Sequence, residues 1–435
     1  MSETIKYRLC VHNFFFLDSI HNSFFNLKLT THDSRLTTHD SRLTTHDSRF
    51  TTHDSRIFPI FAEEMEIKGK HNTAIVFNDN VDQASYSQII EFCDQEIFSD
   101  AKIRIMTDVH AGKGCVIGYT ANLTDKVVPN LIGLDIGCGI FCTNLGKFNP
   151  DYDKLDKFIR KNIPHGFKRN KSANRDDFDK DFVRELQKAC DMLDIKFDEH
   201  LKGVGSLGGG NHFIEIAEDS KKNKWLFIHS GSRNFGLQVA TWHQKKAITT
   251  CSKKGIKIAK HFAYLEGEER EIYIQHMKLA QWYARLNRRE MTQRILSHFS
   301  IKEELEQFES VHNYINFEDN IIRKGAISAH KGEKVIIPLN MKDGSLIAIG
   351  KGNIEWNFSA PHGAGRRLSR TQAKKQLNLA DFRKSMKNIW TTTVSEKTKD
   401  EAPQAYKPKG EILQYIGETV TVSETVKPLY NFKAE

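Results

Sequence analysis

At 435 residues and a formal charge of +9, the chain can bury a large core and favours an anionic partner. Its overall composition is that of an ordinary globular protein, and no window approaches the roughly 18 consecutive apolar residues of a membrane span. Seven scattered cysteines, an odd number, argue against a disulfide framework and for a reducing, cytoplasmic location.

The N-terminal LCVHNFFFLDS is apolar but short, and His12, Asn13 and Asp18 interrupt it, which argues against a signal peptide. From Thr30 the sequence carries four copies of TTHDSR at a strict period of seven. One apolar residue per repeat cannot form a coiled-coil seam, although a His-Asp pair in each copy offers metal-ligand types. Identical copies instead suggest a repeated DNA tract read through. Residues 1–64 are therefore expected to be a low-complexity, disordered leader, with the native chain starting at Met65 and a catalytic domain over 65–435. Intact-mass analysis of the native protein checks this start.

The basic excess lies beyond the leader, where 57 Lys+Arg face 47 Asp+Glu. Its densest run, RKNIPHGFKRNKSANR from Arg160 to Arg175, reads either as a solvated loop or as a nucleic-acid contact. From Met65 onward, MEIK, TAIVFN, KIRIMTDVH, CVIGYTANL, HFIEIA and WLFIHSG have strand character between Gly and Asn/Asp turns. LIGLDIGCGI, from Leu131 to Ile140, also reads as a core strand. Phe178, Phe182, Leu186 and Leu193 share a helical face, and a long charged helix is expected from about Glu266 to Ser297. Short Gly-rich apolar runs follow between Lys324 and Ile349. The mixture gives an α+β fold, a single large domain of mixed sheets with surrounding helices.

An aspartate in the apolar run LIGLDIGCGI is costly unless something pairs with it, and its glycines allow another group to come close. Ligand-type residues recur in such surroundings: Asp135, Cys138, His212 in GSLGGGNHFIEI, His229 in WLFIHSGSR, His312 in SVHNYIN and His362 in SAPHGAGRR. Taken singly, each is more often structural. Five of them together, one carboxylate, one thiol and three imidazoles, suit one metal ion or a close pair, and their types are compatible with Mn, Fe or Zn. A four-sulfur zinc site is disfavoured, because Cys142 would need two further thiols. GVGSLG satisfies GxGxxG, but the following GGNHFIEI looks like a strand where a dinucleotide fold requires a helix.

DVHAGKGCVIG, LIGLDIGCGI, GSLGGGNHFIEI, HSGSRNFG, HGAGRRLSR and EAPQAYK, in this order, resemble the RtcB-type RNA ligases. The resemblance runs from Met65 to the C-terminus, and HSGSRNFG with WNFSAPHGAGR is similar to a shorter bacterial side branch. It implies joining of an RNA 3′-phosphate or 2′,3′-cyclic phosphate to a 5′-hydroxyl, with GTP and two Mn2+ ions. By the same resemblance Asp135, Cys138, His212, His229 and His312 are the metal ligands, with Cys138 bridging, and His362 is the guanylylated histidine. Asn211, Phe213, Glu215, Asn313, Pro338, Asn340, Met341, Ser345, Gly363, Ala364, Gly365, Tyr406 and Lys433 fall at nucleotide positions. An archease-like activator is an expected partner, as it is for some relatives. The chain departs from the family's PGSMG at PLNMKD, Pro338–Asp343, where nucleotide choice could change, and Thr107 replaces a proline in what is expected to be a loop. The competing readings are a dinuclear-metal phosphodiesterase, a 3′-end guanylyl-capping enzyme and a catalytically silent RNA-binding relative.

Overall fold

The computed structural model describes residues 64–434, so the TTHDSR repeats and their expected disorder lie outside the described residues. The strands are β1 (Met65–Lys68), β2 (Thr73–Val76), β3 (Arg104–His110), β4 (Ile117–Asn122), β5 (Gly139–Gly146), β6 (Phe213–Glu218), β7 (Lys224–Ser230) and β8 (Gln307–Val311). They continue as β9 (Asn313–Asn316), β10 (Ile321–Lys324), β11 (Ala326–Ser328), β12 (Lys334–Asn340), β13 (Gly344–Gly350), β14 (Ser359–Pro361) and β15 (Val420–Lys433). A six-stranded sheet has the order β1-β2-β3-β4-β10-β9, a seven-stranded sheet β12-β13-β15-β6-β7-β5-β8, and β11 pairs with β14. Apart from the parallel β2–β3 pair, neighbouring strands run antiparallel. This is the α+β architecture expected from strand runs without βαβ alternation.

The helices follow local signals. Lys180–Leu193 begins where the Asp179 side chain accepts from the Phe182 amide, ends at Asp194 with φ 54°, and buries Phe182, Leu186 and Leu193 on one face. The helix Arg233–Lys253 went unread in the sequence, because its apolar residues are spread without a clear stripe. The long helix Gly267–His298 matches expectation and braces the site. Its Asn287 accepts from the Ser206 amide and donates to Ser230 Oγ and Gly231 O.

LIGLDIGC is not a strand. Residues 132–138 form a turn before β5, with φ of +93° at Gly133 and +73° at Gly137. At Gly137 a Cβ would come within 2.8 Å of Ala284 Cβ, so the helix leaves room only for glycine. The turn brings the Cys138 amide to Asp135 O at 3.2 Å, placing both side chains at one sheet end. Thr107 likewise lies within β3 rather than in a loop, fully buried, with its hydroxyl unpartnered among the described residues.

Arg288, fully buried, donates to Gly137 O (2.7 Å), Ser230 O (2.6 Å) and Glu309 Oε1 (2.7 Å). It thus ties the Asp135–Cys138 turn to the end of β7. Arg288→Ala is expected to destabilise the fold by about 3–5 kcal/mol, since it strips two carbonyls of their donor and leaves the Glu309 carboxylate with Arg285 alone. The urea midpoint measures this; an unchanged midpoint contradicts the bracing role.

Candidate functional site

The register of the seven-stranded sheet gathers the ligand-type residues. His229 in β7 pairs with Ile140 of β5 and Phe213 of β6, and Gly139 pairs with Val311 of β8. Cys138, His212 and His312 are the residues just outside β5, β6 and β8, so all four arrive at the same sheet end. Cys138 Sγ lies 3.4 Å from His212 Nε2 and 3.3 Å from His229 Nε2. Asp135 Oδ2 is 2.9 Å from His212 Nε2, and the Nε2 atoms of His229 and His312 are 3.4 Å apart.

The ring orientations are fixed from behind. His212 Nδ1 faces Leu207 O at 2.8 Å and His229 Nδ1 faces Asn211 O at 3.2 Å. A carbonyl only accepts, so each Nδ1 carries a proton; the His229 Nε2 turns its lone pair inward, while the His212 Nε2 faces the Asp135 carboxylate. Burial holds His229 and His312 well below the usual imidazole range, with neighbouring histidines adding to the effect, so both rings are neutral. Burial pushes the Cys138 thiol well up, and the Asp135 carboxylate adds to this. Burial alone would raise Asp135, but the His212 hydrogen bond more than offsets it and the carboxyl is lowered. Two neutral imidazoles, a sulfur and a carboxylate turning electron pairs toward one another fit a cation, which would also make the thiolate accessible. Among the described residues, Cys138, His212 and His229 place their donor atoms within 4.8 Å of one another. Cys142 does not join them; it is buried in an apolar cluster with Trp225 and Phe227.

The cluster opens into a cavity of about 300 Å3. Every residue anticipated at a nucleotide position, from Asn211, Phe213 and Glu215 through Asn313, Pro338, Asn340, Met341 and Ser345 to Gly363, Ala364, Gly365, Tyr406 and Lys433, borders it. His362 borders the same cavity beside the cluster, its ring centroid 4.9 Å from that of His312. Its Nδ1 donates to Asp108 Oδ2 at 2.6 Å, which leaves the Nε2 lone pair free. Asp108 is fully buried, and its other oxygen has no partner among the described residues.

At another part of the cavity wall, Asn431 Nδ2 donates to Glu215 Oε2 at 2.7 Å across the β15–β6 pair. Burial drives the Glu215 carboxyl up to about 7, against the opposing pull of Asn431 and Lys433. Lys433 Nζ lies 3.1 Å from Glu401 Oε2, 3.2 Å from Asn211 O and 5.0 Å from the Phe213 ring centre. Burial would raise Glu401, but Lys433, Arg370 and Arg366 outweigh it and hold the carboxyl low. Tyr406 donates to the same carboxylate at 2.6 Å.

Asp108, Asn431 and Glu401 were not anticipated as site residues. Asp108 and Glu401 lie in DVHAG and EAPQAYK, stretches already marked as motifs, so a carboxylate inside each was the available signal. Asn431 had none, because only the pairing of β15 with β6 brings it to Glu215. In PLNMKD, Asn340 Oδ1 accepts from the amides of Lys342 and Asp343, and its Nδ2 donates to Asp343 Oδ2. The changed residues therefore close the β12–β13 turn on themselves, while Leu339 packs with Ile337, Leu346 and Ala364.

Fold and site together define a class: an α+β protein with a metal-ligand cluster beside a carboxylate-oriented histidine in a polar cavity. A family model described as tRNA-splicing ligase RtcB matches residues 96–434. The RNA-splicing ligase RtcB of Escherichia coli (strain K12) is 32% identical over 363 residues, covering 75% of this chain and 88% of that protein. The tRNA-splicing ligases RtcB of Methanococcus maripaludis and Nanoarchaeum equitans are 28% and 26% identical, over 69% and 72% of this chain and 81% and 84% of their own. The chain belongs to the RtcB family of RNA-splicing ligases. None of its described helices is long and apolar enough to cross a membrane.

Proposed function

We propose that the protein is a GTP- and manganese-dependent RNA ligase that joins 3′-phosphate or 2′,3′-cyclic phosphate ends to 5′-hydroxyl ends through a guanylylated His362, in RNA repair or tRNA splicing. The observation that carries this reading is the Asp108–His362 hydrogen bond beside the Cys138/His cluster. With its Nδ1 proton held by Asp108, His362 turns a nucleophilic Nε2 to the cavity. Nε2 forms a P–N bond to the α-phosphorus of GTP as the α–β anhydride breaks and pyrophosphate leaves. An oxygen of the RNA 3′-phosphate then takes the GMP, breaking the P–N bond and regenerating His362. Finally the 5′-hydroxyl oxygen attacks the 3′-phosphorus, losing its proton, and GMP departs. A cyclic phosphate is first opened by hydrolysis.

Asp135, Cys138, His212, His229 and His312 would hold two Mn2+ ions, which when bound would supply charge neutralisation for phosphate oxygens. Asn211, Phe213, Asn313, Ser345, Tyr406 and Lys433 shape the nucleotide pocket. Gly363 and Gly365 keep the backbone beside His362 slim. The Ala364 amide is already engaged by Pro338 O, so the flanking amides are the ones left for phosphate. The cytoplasm is the proposed location and an archease-like protein the proposed activator.

Sealing of a 3′-phosphate RNA to a 5′-hydroxyl RNA, with and without GTP and manganese, tests this reading. GTP-dependent joining is expected. Cyclic-phosphate removal indifferent to GTP would instead favour a phosphodiesterase, and GMP transfer to RNA ends without joining a capping enzyme.

We place Glu215, which borders the cavity, against the guanine edge, and this gives the reading a pH signature. Only an ionised carboxylate can accept from both the N1–H and the amino group of guanine. With the carboxyl at about 7 in the free protein, GTP affinity should rise as pH climbs through that value and fall below it. Stability runs the other way. A carboxyl raised from 4.5 to about 7 on folding contributes stability below pH 4.5 that is lost as pH rises through the folded value. Glu215→Gln should therefore stabilise the free protein at pH 8 by about 3 kcal/mol while weakening GTP binding and flattening its pH profile. Thermal melts and GTP titrations from pH 6 to 8 check both; an unaltered pH profile contradicts the assignment.

A further inference from the structure

Phe167 is fully exposed, more so than any other large apolar side chain among the described residues. It sits in HGFKRNK, and the backbone on either side is pinned. The Gly166 amide donates to Gly208 O at 2.7 Å and Arg233 Nη2 donates to Gly166 O at 2.9 Å. Beyond it, Asn170 donates from its side chain to Lys202 O and Val204 O and accepts from Arg294. The aromatic ring is therefore held out in water on an ordered loop, where nothing in the fold rewards it.

Its position ties it to the reaction site. Gly208 lies against the His212 ring: a Cβ there would meet His212 Nδ1 at 2.7 Å. Phe167 thus follows a residue hydrogen-bonded to the segment that presents His212. Lys168 and Lys171 are exposed beside it, and neither has a carboxylate partner among the described residues, whereas Arg169 is paired with Glu199 at 2.6 Å. A lone aromatic ring among free cations suits a base stacked over a tracked phosphate backbone better than an apolar protein anchor.

We propose that Phe167 is a stacking platform for a base of the single-stranded RNA end entering the cavity, with Lys168 and Lys171 receiving its phosphates. Gly210, two residues beyond Gly208, also borders a second depression, where Asp400 and Glu401 pair with Arg370 and Lys374 while Lys375 and Lys397 add further cations to the rim. The assignment rests on the RNA-ligase reading. It adds a strand-positioning residue outside the metal and nucleotide machinery.

The test uses the full chain and short fluorescent RNAs ending in a 3′-phosphate, intact or with single abasic positions near that end. Phe167→Ala should weaken binding of intact RNA about tenfold or more, and Phe167→Tyr should restore it. Wild type should lose affinity at one abasic position to which the alanine variant is indifferent, a coupling that a merely structural role would not produce. GMP transfer from GTP to the chain, measured without RNA, serves as the fold control. Equal binding by wild type and the alanine variant, or equal sensitivity to every abasic position, overturns the stacking assignment and leaves this face to a protein partner. If wild type takes up GMP yet binds no RNA, the stacking assignment falls while nucleotidyl transfer stands; if it does neither, the ligase reading falls as well.

Discussion

His362→Ala is expected to reduce RNA joining at least about 10^4-fold, to background, because the variant has no nitrogen to carry GMP between GTP and the RNA end. The ring is partly exposed to the cavity, but its loss leaves the buried Asp108 carboxylate unpaired, so circular dichroism of the variant accompanies the assay to show that it is folded. Asp108→Asn refines the claim. An asparagine can turn its amide donor toward Nδ1, which moves the imidazole proton to Nε2 and blocks the attack. A loss of about 10^2- to 10^4-fold is expected, at unchanged GTP affinity, by analogy with removing the orienting carboxylate from a hydrolytic triad. Sealing rates under single-turnover conditions measure both. An alanine variant that still seals RNA at a wild-type rate would remove His362 from the mechanism.

Cys138→Ala should strip the metal site. The sulfur is within reach of two histidines, so its loss removes a donor shared by His212 and His229. Bound manganese after dialysis, measured by elemental analysis, is expected to fall at least about tenfold, with sealing falling in step. The thiol is small, so circular dichroism should be unchanged. Full metal content in this variant contradicts the assignment. Zinc binds such nitrogen and sulfur donors more tightly than manganese, so added zinc should inhibit; activity indifferent to excess zinc argues against a manganese site.

Much of the site was legible because its residues are chemically unusual where they stand: a carboxylate and a thiol in LIGLDIGCGI, and histidines beside glycines at strand ends. Their convergence was not legible from patterning. It depends on β5, β6, β7 and β8 being neighbours in one sheet with a particular register, a long-range fact. The same applies to Asp108, 254 positions from His362, and to Asn431, 216 from Glu215. LIGLDIGC misled because apolar residues at that density resemble a buried strand, whereas two glycines at positive φ wind it into a turn. Helix Gly267–His298 was readable from its length and charge, but its part in bracing the site through Asn287 and Arg288 needed the packing.

The central claim is a covalent GMP on His362, and the most direct measurement is incubation of the full chain with α-labelled GTP and manganese, followed by denaturation and counting. The account predicts label that stays with the denatured wild-type protein, is released by acid as a P–N bond should be, and is absent from His362→Ala. Folded, manganese-loaded wild-type protein that retains no label, or an adduct equally strong in the alanine variant, would contradict it.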